Sequence, residues 1–110
     1  MRCGKILLPI VSRSAAQTNL DLAMRLLDPQ GKIVALRVVR VPDDVSLSEG
    51  AGDAADSRAV LDEISDLITD KRVEFKPLVR VAHRVYEGIA ESAAAESADL
   101  LILQIGRAHV

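Results

Sequence analysis

Apolar residues fall along this chain in two patterns that alternate. Short unbroken runs, without polar interruption on every second position, occupy Lys5-Ile6-Leu7-Leu8-Pro9-Ile10-Val11 and Ile33-Val34-Ala35-Leu36-Arg37-Val38-Val39. Runs of this kind fit strands buried on both faces, as in a parallel sheet flanked by helices. The β-branched content of the second run supports the same assignment. Between the two, Leu20, Ala23, Met24 and Leu27 recur at i, i+3, i+4 and i+7, so residues 14–27 carry one apolar helical face. Ser14-Ala15-Ala16-Gln17 has the spacing of a capping box and predicts the start of that helix. Asp28-Pro29-Gln30-Gly31 predicts its exit.

The rest of the chain repeats the alternation. Residues 42–53 are acidic and rich in Gly and Ser, and are expected to form a mobile loop. Residues 55–71 are the strongest helix: Val60, Leu61, Ile64, Leu67 and Ile68 make one stripe, and Asp56, Arg58, Asp62, Glu63, Asp66 and Asp70 a solvated face. Residues 73–81 predict a third strand, with Pro77 pointing to an edge or an irregular start. Residues 84–97 predict an Ala-rich helix, and residues 99–103 a fourth strand. The order β-α-β-α-β-α-β implies an α/β domain with a doubly wound parallel sheet and right-handed crossovers. Ligands of such sheets sit at the carboxyl ends of the strands, which directs attention to residues 9–14.

Composition narrows the function classes. A chain of 110 residues suffices for one domain with a single core. A net charge of −2 gives no electrostatic reason to expect nucleic acid or an anionic membrane as partner. Phe75 and Tyr86 are the two aromatics, so the core is aliphatic and no base-stacking platform exists. Cys3 alone excludes an internal disulfide framework and a multi-Cys metal site, and suits a reducing, cytoplasmic setting. The run from Ile6 is too short for a signal peptide or a membrane span, so direct membrane insertion is not expected.

Taken together, these segments resemble universal stress protein domains. The resemblance is carried by Lys5-Ile6-Leu7-Leu8-Pro9-Ile10, by residues 33–39, by Arg80-Val81-Ala82-His83 with Glu87-Gly88-Ile89, and by Ala98-Asp99-Leu100-Leu101-Ile102-Leu103. It covers residues 4–103. Val39-Arg40-Val41-Pro42 and Ser46-Leu47-Ser48-Glu49-Gly50 look most like the copies fused to amino-acid permeases or cation/proton antiporters. The resemblance implies a Rossmann-like, adenine nucleotide alpha-hydrolase-like fold with strand order 3-2-1-4-5. The fifth strand would be missing here, leaving order 3-2-1-4 and an incomplete domain over residues 1–104. It also implies a homodimer in the complete protein and a non-catalytic regulatory or stress-response role. A truncated domain of this kind would be poorly soluble or marginally folded.

ATP-binding members of the family carry an acidic residue just after the first strand and a G-x-x-G-x9-G-[ST] loop after the fourth. The position matching the acid is Val11, whose side chain accepts no hydrogen bond. Gln104 stands where the first glycine would fall, and Gly106 alone is no phosphate loop. Pro9, Ile10 and Val38 match the apolar side of the family's pocket, although plain core residues at strand ends are the better explanation of each. The expectation is therefore no bound cofactor in the usual manner, with an ATP- or AMP-responsive switch as the alternative, and a dimerisation module of a transporter's cytoplasmic region as a third reading.

The remaining candidates have simpler explanations. Ser14 reads as a helix cap before a phosphate contact, and Ser12 has no neighbouring base in sequence to activate it. His83, without a second ligand at metal spacing, reads as a hydrogen-bonded structural residue. Arg80 and Arg84 could draw an anion, but read first as surface charges near the acidic second helix. Nothing surrounds Cys3 that would make it reactive, and residues 43–56 lack calcium-loop spacing. Ile105-Gly106-Arg107-Ala108-His109-Val110 breaks the pattern and can be encoded by the opening bases of a common sequencing adapter. Residues 105–110 are accordingly expected to be a non-native tail, and Arg107 and His109 are set aside.

Overall fold

A computed structural model describes residues 3–11, 13–68 and 72–103, with residues 13–15 described by their backbone alone. Ser12, the side chain of Ser14, residues 69–71 and the tail from Gln104, with Gly106, Arg107 and His109, lie outside the described residues.

Among the described residues, four strands and three α-helices alternate as the hydrophobic pattern predicts: β1 (Cys3–Pro9), α1 (Arg13–Leu26), β2 (Leu27–Arg40), α2 (Ala51–Ser65), β3 (Glu74–Ala82), α3 (Val85–Glu96) and β4 (Leu100–Leu101). The strands form one sheet in the order β3-β2-β1-β4, and every pairing is parallel. The fold is thus α/β with the first strand inside the sheet and strand order 3-2-1-4. Ile6, Leu7 and Leu8 are fully buried, as the absence of polar alternation requires of a strand covered on both faces.

The two faces have separate cores. Ile6, Leu8, Ile33 and Ala35 pack with Leu20 and Ala23 of α1 and Leu61 and Ile64 of α2. Leu7, Val34 and Leu36 point the other way, against Ile89 and Ala93 of α3. The period of two along each strand divides the residues between these layers.

Several boundaries differ from expectation, each for a local reason. Asp28-Pro29-Gln30-Gly31 does not separate helix from strand. α1 ends at Leu26 and β2 starts at once with Leu27, which pairs with Cys3, while Lys32 pairs with Lys5. Four residues of β2 therefore stand opposite Gly4 alone, and the turn chemistry survives as a bulge. The expected loop at 42–53 is shorter. A 3-10 turn over Leu47–Gly50 is capped by Ser46, whose hydroxyl accepts from the Ser48 N–H, and α2 begins at Ala51 and ends at Ser65. Gly50 makes this possible by packing its bare Cα against Val39, Val41 and Val81; a Cβ there would lie 2.8 Å from Val81 Cγ1. Pro77 does mark an edge strand, since β3 is outermost and pairs only with β2. β4 has just two residues in the ladder, although the Asp99 N–H donates to Lys5 O (2.9 Å) and the Ile102 N–H to Leu7 O (3.1 Å).

Two charged anchors hold the amino-terminal end of the sheet. The Asp99 carboxylate accepts from the backbone N–H groups of both Gly4 and Lys5, each at 3.0 Å. Glu96, at the end of α3, accepts from Lys76 of β3 at 2.9 Å, and its backbone carbonyl accepts from the Lys5 ammonium at 2.7 Å. The hydrogen bond from Lys76 holds the Glu96 carboxyl below its ordinary titration range.

Candidate functional site

A cleft of about 180 Å³ opens at the carboxyl end of β1 and β2, under the first turns of α3. Pro9, Ile10, Val11 and Val38, the four residues singled out from sequence, all line it. Parallel register brings them together: Pro9 pairs with Leu36, and the Ile10 N–H donates to Leu36 O at 2.7 Å, so the end of β1 lies level with Val38. Leu36, Val85 and Ile89 complete the apolar wall. α3 lies close to β2 at this wall. Gly88 faces Val38 directly, and a Cβ on it would meet Val38 Cγ1 at 2.8 Å.

The position where a nucleotide-recognising carboxylate is expected holds Val11, 62% exposed at the rim. Its backbone carbonyl is occupied. Arg37 Nη1 donates to Ile10 O at 3.0 Å and to Val11 O at 3.2 Å. Arg37 Nε is buried and makes no hydrogen bond, the one side-chain nitrogen or oxygen so placed among the described residues. Charge-assisted bonds of this type contribute about 1.5–3 kcal/mol when shielded, and an unmet buried donor costs about 1–3 kcal/mol, so the two effects largely offset. The contribution of Arg37 is therefore positional, fixing the course of the chain after β1. Sequence reasoning passed over it, although it is the one charged side chain in the run 33–39.

The described lining of this cleft has no carboxylate, imidazole, thiol or hydroxyl. It can enclose an apolar group and offers a single cation at its edge. His83 lies outside it, its ring Nδ1 bonded to the carbonyls of Val41 (3.1 Å) and Pro42 (3.2 Å), the structural role expected of a lone histidine. Arg80 and Arg84 each have defined partners. β3 turns Arg80 toward α3, where Nε donates to the buried Ser92 hydroxyl at 3.1 Å and Nη1 stands 3.7 Å from Glu91. Arg84 pairs with Asp43 at 3.2 Å and with Glu87 at 3.4 Å. Cys3 is a free, half-buried thiol. Among the described residues no group of three metal-ligating side chains exists, and no helix is long and apolar enough to cross a membrane.

Fold and cleft define an α/β domain with a doubly wound parallel sheet, whose accessible cavity lies at the carboxyl end of its internal first strand. Its architecture is similar to that in the crystal structure of protein Rv1636 from Mycobacterium tuberculosis H37Rv. The TM-score is 0.55 at 16% sequence identity, over all of this chain and 78% of that one. The likeness is one of fold. No protein-family profile matches the chain, and no curated protein matches it in sequence.

Proposed function

We propose that this chain is a non-catalytic regulatory domain of the universal stress protein type, acting in a stress response without binding ATP in the usual way. The observation that supports the reading is the cleft: Val11 stands at its rim, where a nucleotide would call for an acidic side chain, and Arg37 bonds the neighbouring carbonyls. The same reading has the domain act in the cytoplasm, as a homodimer and as the regulatory appendage of, or partner to, a membrane transporter. Calorimetric titration of the full chain with ATP and with AMP tests it. No saturable heat is expected; micromolar binding of either overturns the reading.

The second reading, an ATP- or AMP-responsive switch, is favoured by the convergence of Pro9, Ile10, Val11 and Val38 on one apolar cleft of the kind that holds a planar ring. The same titration decides between the two.

A further inference from the structure

We draw no further inference here: the strongest candidate, the exposed apolar side chains of Val11 and Val85 at the mouth of the cleft, with Tyr86 next to Val85 at the start of α3, belongs to the site already described, and nothing in the structure shows what covers it.

Discussion

Gly88 brings α3 close to the sheet at Val38, and Gly88→Ala tests how much of the cleft depends on that approach. An added Cβ would sit 2.8 Å from Val38 Cγ1, 3.0 Å from Val38 Cγ2 and 3.4 Å from Ala82 Cβ. Ordinary contact between carbon atoms needs about 3.5–4.0 Å, so roughly 0.7 Å must be found. Val38 cannot provide it by rotating, because a β-branched side chain has few χ1 wells, and its backbone is fixed by pairing with Arg80. The helix must lift instead, which opens the layer beneath Ile89 and Ala93. Overpacking of this kind costs about 1–3 kcal/mol, and alanine returns about 1 kcal/mol of helix propensity. The net expectation is a loss of up to about 2 kcal/mol, a fall in melting temperature of about 4–8 °C for each kcal/mol in a domain of this size. Urea denaturation of wild type, Gly88→Ala, Val38→Ala and the double variant closes the cycle. Val38→Ala should be less damaging in the Gly88→Ala background than alone, a coupling of about 1 kcal/mol. A Gly88→Ala protein more stable than wild type, or effects that simply add, would refute the contact as the cause.

Three further outcomes follow from single residues. Ser97 ends α3 in the left-handed region, at φ 53° and ψ 47°, so Ser97→Gly should raise stability by about 0.5–1 kcal/mol in thermal unfolding; a fall would show that the side chain matters more than the backbone. The folded carboxyl of Glu96 titrates below its ordinary value of 4.5, chiefly through its hydrogen bond from Lys76. Its stabilisation is therefore present above pH 4.5 and is lost as pH falls from there through the lower folded value. Urea melts of wild type and Glu96→Gln should converge on acidification, and a gap constant down to about pH 3, below the reference glutamate value, contradicts this. His83→Ala removes the ring that ties down the Val41 and Pro42 carbonyls, so it should cost about 1 kcal/mol and speed amide exchange across residues 43–46, with β1 exchange unchanged.

Element type was readable where one physical signal dominated. The apolar run at 5–11 could only be a doubly covered strand, and the stripe from Val60 to Ile64 only a helix packed on one side. Boundaries were less readable because tertiary contacts set them. The segment before Ala51 has loop composition, yet burial of Gly50 among three valines brings the helix start forward to Ala51. The pull of Asp28-Pro29-Gln30-Gly31 toward a turn is real, but register with Cys3 and Lys5 turns it into a bulge. In the site, Pro9, Ile10, Val11 and Val38 were selected through the resemblance to universal stress protein domains, and they line one cleft. Arg37 was visible as an isolated charge, but its reach to the Ile10 and Val11 carbonyls depends on the β1–β2 register, which no local pattern encodes. The partners of Arg80 and Arg84 were illegible for the same reason: those of a strand-end arginine are chosen by the neighbouring helix and loop.

The place of β4 beside β1 has a consequence for how the molecule assembles. β1 meets β2 across 27 positions at Lys5 and Lys32, but meets β4 across 94 positions at Ile6 and Leu100. Closing the longer loop costs about 1 kcal/mol more chain entropy than the shorter one, before any contact of β4 is gained. On a ribosome the delay is also one of supply. β1, β2 and β3 can pair as soon as Ala82 has emerged, while one side of the most buried strand stays open until Asp99 arrives to take the Gly4 and Lys5 amides. Over that interval the nascent sheet exposes an unpaired apolar edge, and the Asp99 carboxylate is the latch that ends it.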